Sequence, residues 1–99
     1  MKDLSHSVRA FRALGQETRF KIISLLSRKE FNVQELEEYL GVSQSAISQQ
    51  LKILKDVGLV KLRREGKYTL CSINRSFLEE VHRHIILLLE GRQGLGLAE

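Results

Sequence analysis

The sequence predicts a mainly α-helical domain that carries a small β-hairpin, in the order α-α-α-α-β-β-α. Three observations carry this. Two helical patterns are separated only by Gly41, Val42 and Ser43. After Gly58 the hydrophobic period drops from that of a helix to that of a strand. An amphipathic helix stands at each end of this run.

Leu4, Val8, Phe11 and Leu14 recur at helical spacing, so the first helix ends at Gly15. The second is expected from Glu17 to Ser27, with Phe20, Ile23 and Leu26 inward and Arg19 and Lys21 near its start. "NVQE" at 32–35 has the form of a capping box: the Asn32 side chain accepts from an orphan amide and Glu35 reaches back. The short helix it opens, with Leu36, Tyr39 and Leu40 apolar, stops at Gly41. Ser43 is a good N-cap for the next helix, which runs to about Val57. Two helices joined by so tight a turn form a helix-turn-helix. Val60 and Leu62 then alternate with Lys61 and Arg63, and Tyr68, Leu70 and Ser72 with Thr69, Cys71 and Ile73, around the turn "EGK". "SFLE" at 76–79 caps a last helix through Val81, Ile85 and Leu88 to Glu90, with Gly91 as its stop. The whole is a winged helix-turn-helix. Residues 1–90 are read as one DNA-binding domain and 91–99 as a flexible C-terminal tail.

Within the second helix of the pair, Ile47, Leu51 and Leu54 share the core-facing side. The opposite side presents Ser45, Ser48, Gln49 and Lys52 with Asp56. Short hydroxyl and amide side chains lose little on desolvation and hydrogen-bond to base edges and phosphate oxygens. Gln in particular can bond adenine through two groups. Ser43 and Gln44 would present the helix N-terminus to phosphate. The hairpin adds Lys61, Arg63, Arg64 and Lys67 on one short ribbon, with Tyr68 beside them; a polyanion would relieve their mutual repulsion. A net charge of +4 agrees with such a partner. Glu35, Glu37 and Glu38 gather on the third helix instead, which suggests a single DNA-facing side.

"ETRFKIISLL" followed by "VQELEEYLGVSQSAISQQLKILKDVGLVKLRREGKYTLCSIN" resembles the ArsR/SmtB family of winged-helix repressors, a similarity covering about residues 8–90. The stretch from Leu40 to Val60 is its specific part, close to the family's S-x-S-x-x-S-x-H-L-x-x-L recognition helix; Gln50 stands where many members have His. The resemblance implies a sequence-specific, homodimeric repressor on an inverted-repeat operator in double-stranded DNA, paired through its first and last helices. Leu4, Val8, Phe11, Val81, Ile85, Leu88 and Leu89 are the expected interface. The residues point the same way, because Ile85 to Leu89 are apolar all round the helix, more than one stripe of core can cover.

The family's metal sites do not carry over. Its "ELCVCDL" thiolate site reads "EFNVQEL" here, with Asn32 and Gln34 in place of the cysteines. Its last-helix site, Asp-x-His-x10-His-x2-Glu, maps onto Asn74, Ser76, Leu87 and Glu90, and one carboxylate makes no zinc site. The sequence therefore predicts neither metal nor cofactor, and the inducer is not visible. An unusual site using His6, His82, His84 or Glu90 stays open, although His82 and His84 lie about 200° apart around a helix; surface histidines are the plainer reading. Cys71 is the single cysteine, so it has no partner for an internal disulfide, and a small strand residue is the simpler account. No set of side chains sits at catalytic spacing, which argues against an enzyme. The competing class is a winged-helix protein-interaction module without DNA binding, which the basic hairpin and the Ser/Gln face disfavour. The longest apolar run is far too short for a bilayer and the N-terminus lacks a signal-peptide core, so a cytoplasmic protein is expected.

Overall fold

A computed structural model describes residues 4–91; residues 92–99 of the expected tail lie outside the described residues. Its elements are α1 (Leu4–Leu14), α2 (Glu17–Leu26), β1 (Phe31–Asn32), α3 (Val33–Leu40), α4 (Gln44–Asp56), β2 (Val60–Glu65), β3 (Tyr68–Ile73) and α5 (Arg75–Glu90). The expected helices and hairpin are present, and β1 is an addition. It pairs antiparallel with β3, Phe31 opposite Cys71 and Asn32 opposite Leu70, giving sheet order β1-β3-β2.

Two of the three expected caps form; at the last helix, Asn74 rather than Ser76 is the N-cap, accepting from the Phe77 amide, and Glu79 pairs with Arg75 instead of closing a capping box. Asn32 accepts from the Glu35 amide while Glu35 accepts from the Asn32 amide, each at 2.9 Å. Gly41 ends α3 at φ +66, a left-handed conformation that a side chain would oppose. Ser43 caps α4. In the hairpin, Gly66 takes φ +62 at the first of the two loop positions and Lys67 keeps a negative φ, as a type II′ turn requires.

The core joins Ile22, Leu26, Leu36, Ile47, Leu51, Leu54, Leu59, Val60, Cys71 and Val81. Ile47 and Leu54 are fully buried and Leu51 nearly so, which seats α4 by the predicted face. Elsewhere the inward faces differ from expectation. On α2 the apolar residues are nearly continuous, so period alone leaves the inner face ambiguous; Ile22 is buried and Phe20 is 56% exposed. On α1 the buried residues are the small ones, Ser7, Ala10 and Ala13, because they let the helix approach closely, and Val8 and Phe11 are left outside. Tyr39 is also exposed and meets Phe31 edge-on, with ring centroids 5.3 Å apart. His84, read from sequence as a surface residue, is buried on α5, where its Nδ1 and the Ser7 hydroxyl share a hydrogen bond. Val81, expected at a dimer interface, is buried in the core of its own chain.

Candidate nucleic-acid interface

A groove of about 400 Å³ runs between α4 and the hairpin, lined along one wall by Gln44, Ser48, Lys52 and Lys55 and along the other by Leu62, Arg64, Lys67 and Thr69. Val33 and Gln34, at the start of α3, close one end. The acidic side chains of α3 do not line it. Lys55 was not singled out from sequence; its position seven residues before Leu62 across the turn after α4 is what brings it alongside.

Strand alternation explains which hairpin residues face this groove. Leu62, Arg64, Thr69 and Cys71 share one side of the ribbon, and Cys71 is buried against the helices. Arg63 therefore points to the other side, where Glu30 takes its guanidinium through two oxygens at 3.0 and 3.3 Å and Glu65 adds a contact at 3.3 Å. The Arg63 hydrogen bond holds the Glu30 carboxyl below its ordinary range. The repulsion expected along the ribbon is thus relieved internally at Arg63, and Lys61, Arg64 and Lys67 are left as its exposed cations. Lys67 lies 5.5 Å from the centre of the Tyr68 ring, a cation–π contact at the tip.

On α4 the Ser43 hydroxyl accepts from the Ala46 amide at 3.2 Å, so the amides of Gln44 and Ser45 point off the helix end without helical partners. Ser45, Ser48 and Gln49 are exposed, as the sequence reading expected. Lys52 is exposed too, but it bonds Asp56 at 2.9 Å, and that bond raises its pKa. An exposed pair of this kind contributes little to stability and exchanges readily for another anion. Gln50 does not join the outer face. Its Oε1 accepts from Arg19 Nη1 at 2.8 Å, while Arg19 Nε donates to the Ala13 carbonyl at 2.7 Å.

Two of the residues that the resemblance sets against metal ligands, Asn32 and Asn74, serve as helix caps. Asn32 caps α3, and Asn74 caps α5 while accepting from Ser76 at 3.1 Å. Their donor chemistry does not fit a zinc or thiophilic site. No group of three or more His, Cys, Asp or Glu suited to a metal ion occurs among the described residues. His6 lies edge-on to Phe77, and His82 is exposed. Burial pushes the Cys71 thiol up to about 11.

Away from this groove's lining, α1 and α5 expose Val8, Phe11, Ile85, Leu88 and Leu89, the last two at 61% and 78%. Beside them lies a larger groove of about 660 Å³ walled by Phe11, Leu14, Leu26, Ile73, Leu78 and Ile85. No helix among the described residues is long and apolar enough to cross a membrane.

A winged helix-turn-helix whose Ser/Gln-faced second helix shares a groove with basic side chains of the wing defines a class of transcriptional regulator. Residues 16–62 match the model of the bacterial regulatory protein arsR family. The chain is 37% identical over 86 residues to the transcriptional activator HlyU of Vibrio cholerae, covering 83% of this chain and 80% of that protein. It is 36% identical over 75 residues to the transcriptional repressor SmtB homolog of Synechocystis, covering 76% of this chain but only 57% of the relative. A homodimeric winged helix-turn-helix DNA-binding domain from Mycobacterium bovis superposes with a TM-score of 0.69 at 29% identity, over 92% of this chain and 88% of that one. The chain belongs to the ArsR family, whose members are transcriptional regulators rather than enzymes.

Proposed function

We propose that the protein is a homodimeric, sequence-specific DNA-binding repressor that occupies an inverted-repeat operator. The observation that carries this reading is the groove in which Gln44, Ser48 and Lys52 of α4 face Arg64 and Lys67 of the wing. A helix seated in a major groove by its Ser45, Ser48 and Gln49 face would place the wing along the adjoining backbone. The free amides at the start of α4, with Ser43 and Gln44, would meet a phosphate. Arg64 and Lys67 supply the wing contacts from the α4 side of the ribbon, Tyr68 reaches the backbone only at the tip beside Lys67, and Arg63 joins them only by leaving both Glu30 and Glu65.

The apolar surface of Val8, Phe11, Ile85, Leu88 and Leu89, with the partly buried Leu4, is the dimer face in this reading. Val81 supports it from below. A single copy leaves large apolar side chains in water there, and a second copy covers them. The M. bovis domain is homodimeric, which supports the same arrangement here. The relatives named above include an activator and a repressor; repression is proposed because a dimer across an operator blocks polymerase without needing a further surface. With amides and a hydroxyl at Asn32, Gln34, Asn74 and Ser76 in place of thiolate, carboxylate and imidazole ligands, release from DNA in this reading does not pass through the family's usual metal sites.

Fluorescence anisotropy on the DNA upstream of the protein's own gene, against a scrambled duplex, tests the reading. The chelator-treated protein is expected to prefer the upstream DNA and to hold it when zinc, nickel or cobalt is added back. Gln49→Ala should relax preference at one base pair by about 1–3 kcal/mol. Equal affinity for both duplexes would refute it.

A further inference from the structure

We propose that Arg19 is a positioning residue for α4: its guanidinium ties the recognition helix to the end of α1 and thereby fixes the roll of the Ser45/Ser48/Gln49 face. The proposal rests on the DNA-binding reading of α4 and deepens it.

Arg19 sits in the first turn of α2, between the two elements that it joins. Nε donates to the carbonyl of Ala13 in the last turn of α1, and Nη1 donates to Oε1 of Gln50 in the middle of α4. The Ala13 carbonyl is one of the helix-end acceptors with no partner in its own helix, at the negative end of the α1 dipole, so a cation is its natural partner. Both bonds are charge-assisted and partly buried, and the planar fork holds its N–H groups at fixed angles. One planar group therefore holds a point at the end of α1 and a point on α4 at a set separation.

Among the described residues, the rest of the α4 seat is less directional. Ile47, Leu51 and Leu54 fix its inner face by apolar contact, which resists separation more than roll. A roll of 20° would carry an outer side chain through about 2 Å, given a helix radius with side chains of ~5–6 Å. That displacement is enough to break a hydrogen bond to a base edge. Gln50 lies immediately between Gln49, which faces outward, and Leu51, which faces inward. Holding Gln50 holds the boundary between the two faces. Because the guanidinium is committed to Ala13 and Gln50, Arg19 acts on sequence preference and adds no phosphate contact of its own.

The test compares two duplexes, one selected from a random pool by the native protein and a scrambled one of the same composition, bound by native, Arg19→Lys, Gln50→Leu and double-variant proteins. Lys keeps the charge but lacks the planar fork that holds the two donors at fixed angles. Either single change is expected to lower the selected-to-scrambled affinity ratio by roughly 3- to 30-fold, with the salt slope on scrambled DNA unchanged. The double variant should lose little more than either single one, and Gln50→Glu, which still accepts, should retain the ratio. Circular dichroism confirms that each variant is folded; should Arg19→Lys unfold, Gln50→Leu carries the same test. A ratio that stays native while the melting temperature falls would make Arg19 a plain strut and overturn the proposal. So would losses that add, or an equal fall on both duplexes with a smaller salt slope, the mark of a phosphate contact. A native protein that selects no sequence would overturn the DNA reading and this one with it; a native protein that selects while its variants select equally well would overturn this one alone.

Discussion

Adjacent arginines on the wing should behave differently toward DNA. Arg64 lines the groove beside α4, whereas Arg63 is held by Glu30 and Glu65 on the opposite side of the ribbon. Each phosphate neutralised contributes about 0.9 to the slope of log affinity against log salt. In a dimer, Arg64→Ala removes two such contacts, so the slope should flatten by about 1.8. Between 50 and 200 mM salt the native protein would then lose roughly 12-fold more affinity than the variant. Arg63→Ala removes a cation already matched by carboxylates and should leave the slope close to native. Replacing both Glu30 and Glu65 by Gln should free Arg63 from its carboxylates and steepen it. Anisotropy titrations at a series of salt concentrations, on one duplex and at one pH, read all three slopes. Equal flattening by the two alanine variants, or a larger effect from Arg63, would refute the assignment of sides on which the docking rests.

Three further expectations follow from burial and exposure. Leu54→Ala removes a fully buried side chain and should lower stability by about 2–5 kcal/mol, measured by urea unfolding at fixed protein concentration. Leu88→Glu places a charge on the exposed α5 face and should halve the mass seen by sedimentation equilibrium while leaving the helical circular dichroism native; Phe20→Glu, equally exposed but on α2, should not change the mass. Cys71 has its thiol pKa raised from 9.0 to about 11 by burial. Across that interval the unfolded chain gives up its thiol proton while the folded chain keeps it, so unfolding gains in favour as pH rises from 9 and gains nothing more above 11. Cys71→Ala should flatten that alkaline slope in chemical denaturation.

Local chemistry made much of this molecule readable from its residues. The Asn32–Glu35 capping box, the Ser43 cap and the Ile47/Leu51/Leu54 seam depend on residues within a few positions of one another, and each forms as expected. What escaped was set by distant partners. Strand β1 exists because Phe31 finds Cys71, and Arg63 is neutralised from Glu30, a pairing between segments far apart in sequence. The inner face of α1 escaped for another reason: large apolar residues suggest core, yet Ser7, Ala10 and Ala13 are what close packing selected. Arg19 carried only a faint signal, a cation at the start of a helix where an acid is the commoner choice. The outward face of α4 was legible, but the side on which Arg63 lies and the meeting of α4 with the wing in a groove were not.

The hydrogen bond between Ser7 and His84 has a consequence for assembly. Helices that meet along an apolar seam can slide by a turn with little loss, whereas a buried polar pair admits one alignment. Val8 follows Ser7 and Ile85 follows His84 in sequence, so the same bond that keys α1 to α5 also sets the spacing of the apolar residues that they expose. In the proposed dimer this platform would be preorganised within one chain, its ordering already met in folding.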